Sequence, residues 1–287
     1  MIDTFLRGLA WDDPPAVMAF ESTYGTLLDE VGALVERLRS AEGGERTDET
    51  ADLAARLYVR VPALVNVTLN YKICVEHDLP LHPTVYYELA EAKKYQISRP
   101  IDELERANRL FRESIELSRA AYRLAPGWPE AAAGFRTRLP AELLAFVYTG
   151  GLDKYTWRAS EPDKIAALAG KIRAGFAPEL LVAAAHGSII PGLLLAEYLA
   201  LPLYFVRFSM FKRSDEAPIL SLADEAWLSA WREGKVLLFD EDVAKGTTLD
   251  LFTRRLGELF AETRSGCVIR HAGATLRPDF CALIWWS

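Results

Sequence analysis

Residues 236–248 read Val-Leu-Leu-Phe-Asp-Glu-Asp-Val-Ala-Lys-Gly-Thr-Thr, and this run restricts the fold more than any other stretch of the chain. Its first four residues are aliphatic and aromatic enough to form a strand buried on both faces, as in a parallel sheet covered by helices. Asp240 and Glu241 then emerge at the strand's carboxyl end, where open parallel sheets bind ligands. Carboxylates placed there accept hydrogen bonds from vicinal sugar hydroxyls. Gly246 lets the backbone approach a ligand closely, and Thr247 and Thr248 add hydroxyls where the next helix begins. A helix N-terminus has free N–H groups and the positive end of a dipole, which suit a phosphate. The order therefore suits a ligand that carries both a diol and a phosphate. Taken in isolation, the same run also reads as a solvated turn after a buried strand.

Two rival nucleotide-binding readings fail on their own requirements. A strand followed by Asp-Glu looks like a Walker B motif, but that needs a Gly-x-x-x-x-Gly-Lys-Ser/Thr loop upstream. Gly170-Lys171 is followed by Ile172 and Gly234-Lys235 by Val236, and neither pair has a glycine five places earlier. A dinucleotide fold needs Gly-x-Gly-x-x-Gly after its first strand, and the chain contains none.

The upstream sequence supplies the context that an isolated motif lacks. Residues 180–185 form another apolar run, followed by His186-Gly187-Ser188 and an apolar helix over 189–199. A second strand over 203–206 completes a βαβ unit. Arg207 follows, then a polar stretch from Lys212 to Asp224, then the acidic strand. A further strand over 266–271, Pro278-Asp279-Phe280 and an apolar run over 281–286 end the pattern.

This ordered set resembles the type I phosphoribosyltransferase family. In that family a hydrophobic strand, two acidic residues and a Thr-Gly-x-Thr turn bind 5-phosphoribosyl pyrophosphate (PRPP). Asp240 and Glu241 match the acidic pair, Gly246 the glycine and Thr248 the last threonine, while Lys245 stands in place of the first threonine. His186 takes the basic position of the family's pyrophosphate loop and Ser188 its second glycine. The resemblance covers roughly residues 160–287. It implies an α/β fold, a parallel-sheet phosphoribosyltransferase-like domain over 141–287 preceded by an α-helical domain over 1–140.

It also implies a pentosyltransferase that transfers 5-phosphoribosyl from PRPP to a nucleobase-like or other aromatic acceptor and releases pyrophosphate, with Mg²⁺ as cofactor. His186, Gly187 and Ser188 are expected on the pyrophosphate side, Arg207 as a further PRPP or phosphate contact, and Ala244, Lys245, Gly246, Thr247 and Thr248 around the 5′-phosphate. Asp240 and Glu241 are expected to hold the ribose hydroxyls and the metal. Lys212 and Arg213, in the presumed mobile loop, are expected to neutralise the leaving group on closure. Phe280 and Trp285 are the candidates for stacking on the acceptor, although aromatic residues in strands also serve as core. Hypoxanthine-type members carry an acidic base late in the turn, where this chain has Ala244, so acceptor deprotonation must come from elsewhere or the acceptor does not need it. These departures motivate an alternative, a catalytically weak PRPP- or nucleotide-sensing regulator. The resemblance further implies a homodimer.

Composition narrows the partners. The chain has 287 residues, is 51% hydrophobic and carries a net charge of −7, with no general attraction for nucleic acid or an anionic membrane. Residues 180–206 are the longest apolar stretch, but a charge and two prolines interrupt it, which argues against a membrane span. The first residues lack the pattern of a signal peptide, and three cysteines without a Cys-x-x-Cys pair suit a reducing compartment. A cytoplasmic location is the expectation.

Before residue 140 the periodicity is helical. One stripe runs through Leu27, Val31, Leu34, Val35 and Leu38 to a stop at Gly43-Gly44. A second runs from Leu53 to Thr68, with Pro62 expected to kink it or start a new helix. A third runs from Leu104 to Tyr122 after Pro100, with Asp102 as its cap. This half reads either as a dimer-forming bundle or as a cap that shapes the acceptor pocket. Cys74, His77 and His82 lack the second ligand pair that structural zinc requires, and Lys93, Lys94 and Arg99 read as a solvated face.

Overall fold

The computed structural model describes residues 1–41, 46–210 and 215–286, so the predicted helix stop at Gly43-Gly44 lies outside the described residues. The chain divides into two compact units, one of residues 1–10 with 14–153, the other of residues 11–13 with 154–287. The sequence placed this division at 140/141. Residues 147–150 join the first unit because they form a strand that pairs antiparallel with residues 20–23.

The first unit is helical. It contains α1 (Asp3–Leu6), β1 (Phe20–Thr23), α2 (Tyr24–Ser40), α3 (Asp48–Glu76), α4 (Ile101–Tyr122), α5 (Trp128–Arg136), α6 (Ala141–Leu144) and β2 (Val147–Gly150). Thr23 caps α2 by accepting from the Thr26 N–H, and Thr47 and Thr50 form a reciprocal capping box at the start of α3. No new helix starts at Pro62, and α3 runs through it without a break. A helical proline leaves the carbonyl four residues earlier without its donor. Here that carbonyl belongs to Tyr58, and the buried Tyr122 hydroxyl of α4 donates to it at 2.8 Å. A tertiary contact thus replaces the missing helical bond. Asp102 also differs from expectation: Pro100 is the cap residue of α4 and Asp102 lies in the first turn, where it still complements the helix dipole.

The second unit is α/β. In order it contains α7 (Lys154–Ala159), α8 (Pro162–Gly175), β3 (Leu180–Ala185), α9 (Ile189–Leu199), β4 (Leu203–Arg207), α10 (Leu222–Leu228), β5 (Lys235–Val243), α11 (Thr247–Gly257), β6 (Glu262–His271) and β7 (Phe280–Trp285). The five strands are parallel and ordered β4-β3-β5-β6-β7. All of β3 and β4 is buried, as are residues 236–240 of β5, which explains their unbroken apolar runs. From β3 the chain steps outward to β4, then returns to place β5 on the other side of β3. Right-handed crossovers in opposite directions put α9 and α11 on opposite faces of the sheet. The strand order therefore reverses between β3 and β5, and their carboxyl ends border the crevice where such sheets bind ligands.

Candidate active site at the carboxyl edge of the sheet

Two loops meet at this switch point, the tight turn 186–188 after β3 and the end of β5. The acidic residues stand inside β5 rather than after it, because pairing with β6 continues from Asp240 opposite Cys267 to Val243 opposite Arg270. Ser188 joins the loops: its hydroxyl lies 2.7 Å from Glu241 Oε2 and 3.3 Å from Asp240 Oδ1. The same geometry uses Gly187, since a Cβ there would run into the Glu241 carboxylate and force that side chain aside. The glycine of the turn is what lets Glu241 lie against the backbone. The Ala185–His186 peptide is cis, and His186 is half-buried beside it.

Two carboxylates around one hydroxyl make a strained electrostatic environment. Asp240 is only 7% exposed. Burial, followed by the charge of Glu241, pushes its carboxyl well above the usual carboxylate range. Among the described residues there is no cluster of three or more His, Cys, Asp or Glu side chains suited to a metal ion. Around Ser188 the donor set is an adjacent carboxylate pair and the serine hydroxyl.

The turn 244–248 has the predicted form. Gly246 precedes α11 with φ +102°, a conformation that favours glycine, and a Cβ there would come within 2.4 Å of Leu276 Cβ. Thr275 fastens the turn, its N–H and hydroxyl both donating to the Lys245 carbonyl, at 3.2 and 3.0 Å. Ala244, Lys245 and Thr247 are exposed, and Thr248 is half-buried with its hydroxyl 3.6 Å from Met210 Sδ. The first N–H groups of α11 thus begin at a turn with an open outer face.

Other predicted site residues are placed differently. Arg207 is 2% exposed, with Nε and a terminal nitrogen 3.3 and 2.9 Å from Asp215. Asp215 also accepts from the Ser209 N–H at 2.8 Å, so this arginine braces the chain after β4. Lys212 and Arg213 lie outside the described residues. Part of the stretch expected to be a mobile loop is tied down: Ile219 donates to the Arg207 carbonyl at 2.9 Å, and Ser221 and Asp224 form a capping box at α10.

Phe280 and Trp285 separate as well. Phe280 stacks on Phe176 with centroids 6.3 Å apart, at the register level of Phe239, and is not brought to the carboxyl edge. Trp285 is at that edge, opposite His271, with the Arg158 guanidinium 3.9 Å from its ring centroid. Arg158 is itself held by Asp12 at 3.1 Å.

A further pair, not expected from the sequence, stands here. His271 Nε2 lies 3.1 Å from Asp242 Oδ1, and Tyr155 packs near the imidazole with centroids 6.3 Å apart. Burial pushes the Asp242 carboxyl up to about 6 against the opposing pull of His271. The Asp-Glu-Asp run was a signal for Asp242. Nothing in the sequence pointed to Arg158, whose place depends on α7 returning to the end of β7.

No helix among the described residues is long and apolar enough to cross a membrane. No family model matches the chain, and neither does any curated protein. Solved structures similar to it include a purine phosphoribosyltransferase from Pyrococcus horikoshii Ot3, with 22% identity over 44% of this chain and 83% of that chain and a TM-score of 0.36. A hypothetical protein from Neisseria gonorrhoeae with bound ppGpp has 22% identity over 45% and 81%, with a TM-score of 0.38. A xanthine-guanine-hypoxanthine phosphoribosyltransferase from Helicobacter pylori has 18% identity over 42% and 78%, with a TM-score of 0.33. At these identities and TM-scores they are likenesses only.

Proposed function

We propose that the α/β unit is a phosphoribosyltransferase that binds PRPP at the junction of β3 and β5 and transfers its phosphoribosyl group to a nucleobase-like or other aromatic acceptor. The observation that carries this reading is the convergence of Ser188, Asp240 and Glu241 at the topological switch point, beside a glycine turn that opens a helix. A purely structural turn has no need of two carboxylates against one hydroxyl in a site this buried. Such a pair gains from ligands that donate hydrogen bonds or bring positive charge.

In this reading Asp240 and Glu241 accept from the ribose hydroxyls, and turn 244–248 with the start of α11 receives the 5′-phosphate. Glu241 moves away from Gly187 as the diphosphate enters the turn 186–188. Lys212 and Arg213 neutralise the departing pyrophosphate. Trp285, backed by Arg158, offers a flat face for the acceptor. Since Ala244 has no acid to give, the Asp242–His271 pair is the nearby group suited to hold a proton released by the acceptor.

The donor set fits Mg²⁺, which is commonly carried by one or two carboxylates together with substrate phosphates. Asp240 and Glu241 would hold it, and it would supply charge neutralisation for the diphosphate. A cytoplasmic homodimer belongs to the same reading, and a native mass near twice the 32.1 kDa of one chain tests the dimer.

Calorimetry with PRPP and Mg²⁺ tests binding, and pyrophosphate release across a panel of purines, pyrimidines and small aromatic amines and acids tests transfer. Saturable, Mg²⁺-dependent binding with release for one acceptor class is expected. No binding at millimolar PRPP overturns the proposal. Binding without turnover of any acceptor favours the regulator instead.

A further inference from the structure

We propose that Cys267 and Cys281 form an oxidisable thiol pair, a modification site that closes to a disulfide between β6 and β7 under mild peroxide oxidation. The two cysteines are direct register partners on neighbouring parallel strands, so their side chains leave the sheet on the same face. Adjacent strands lie about 4.7–4.9 Å apart, inside the Cα separation of about 4.4–6.8 Å that a disulfide spans. Both are free thiols, and they belong to one cluster with Val243, Leu249, Ala274 and Leu276.

Their surroundings divide the chemistry between them. Cys267 is fully buried, whereas Cys281 is half-buried, its thiol donating to the Leu283 carbonyl at 3.0 Å. The Lys171 ammonium donates to the Cys281 and Ala282 carbonyls at 2.7 and 3.1 Å, which keeps a positive charge beside Cys281. A hydrogen bond from Cys267, and more weakly Lys171, lower the Cys281 thiol to about 7. A partly exposed cysteine next to a cation is the reactive arrangement.

The co-reactant is hydrogen peroxide. The Cys281 thiolate attacks one peroxide oxygen, the O–O bond breaks, and the second oxygen leaves as water after taking up a proton. Cys281 is then a sulfenic acid. Cys267 attacks that sulfur, the S–S bond forms as the S–O bond breaks, and hydroxide departs with the Cys267 proton as a second water. The two sulfurs together give two electrons to one peroxide. The bridge lies under the turn that the proposed function uses, since Val243 and Leu249 flank that turn and Leu276 backs Gly246. The chemistry of the pair is independent of what binds there.

The full chain, treated with a few equivalents of hydrogen peroxide, is analysed by intact mass, thiol titration after denaturation and peptide mapping. The expected result is the loss of two hydrogens in mass and a fall from three free thiols to one, with a peptide joining Cys267 to Cys281, all reversed by dithiothreitol. Cys267→Ala is expected to stop at a sulfenic acid on Cys281 that dimedone captures, and Cys281→Ala to leave Cys267 reduced. Three unreacted thiols, an oxygen retained on Cys281 in the wild type, or a bridge to another cysteine overturns the proposal. If Cys267→Ala does not fold, the wild-type mass and map still decide.

Discussion

The two units bury charge in opposite ways. In the helical unit Lys72 and Glu76 are 2% and 4% exposed and meet at 2.7 Å, while Asn108 donates to the other oxygen of Glu76 at 2.8 Å. Arg99 and Glu103 pair nearby at 2.9 Å, so Arg99 is not the solvated residue the sequence suggested. In the α/β unit, Asp240 and Glu241 share one serine hydroxyl and have the same sign. Opposite charges on adjacent turns of a helix are complete in themselves. Like charges at the carboxyl edge of a sheet cost stability and are relieved by a ligand, which is why perturbed carboxylates so often mark functional sites.

The largest test of this contrast is Lys72→Met. Removing one partner of a buried ion pair leaves Glu76 uncompensated and should cost about 3–5 kcal/mol of stability in denaturant or thermal unfolding. Adding Glu76→Leu should restore much of the loss, because a buried pair is often replaceable by apolar side chains. A negligible effect of Lys72→Met alone would break the comparison from the helical side.

Gly246→Val comes next. The new side chain meets Leu276 and must adopt φ +102°, so a stability loss of about 1–3 kcal/mol is expected. PRPP binding should disappear with it. Wild-type binding in this variant removes the turn from the site.

The double substitution Asp240→Asn with Glu241→Gln should act in the reverse sense to Lys72→Met. PRPP affinity or turnover should fall by at least about tenfold, since charge-assisted hydrogen bonds are lost, while the melting temperature at pH 7–8 should rise. The sign follows from Asp240, whose pKa is raised in the folded chain. Its contribution to stability is full below its unfolded value of about 3.9 and is lost as pH rises through the folded value. Relative to wild type, the gain should therefore fade at pH 4. Unchanged PRPP turnover reduces the acidic pair to a structural feature, and a lower melting temperature at neutral pH contradicts the like-charge description.

Thr248→Ala should be mildest. It removes one half-buried hydroxyl near Met210 and should weaken PRPP binding by about 0.5–1.5 kcal/mol with the fold intact. An effect as large as that of Gly246→Val would mean that Thr248 organises the turn rather than touching the ligand.

Which segments form the parallel strands was legible in the chain alone. Unbroken apolar runs such as 180–185 and 236–239 can be satisfied only by burial on both faces, and the tight turns between elements are local. The sequence also marked Asp240, Glu241, Gly187, Ser188 and Gly246, because backbone conformation at a glycine and charge at a strand end are properties of short segments. The rest depends on contacts between segments far apart in the chain. Pro62 continues a helix because Tyr122, sixty residues later, supplies its missing hydrogen bond. Arg207 is withdrawn to Asp215, Phe280 to Phe176, and Arg158 is brought to Trp285. The pairing of Asp242 with His271, and of Cys267 with Cys281, depends on strand register. Register is fixed by long-range packing of whole faces, which no short segment contains.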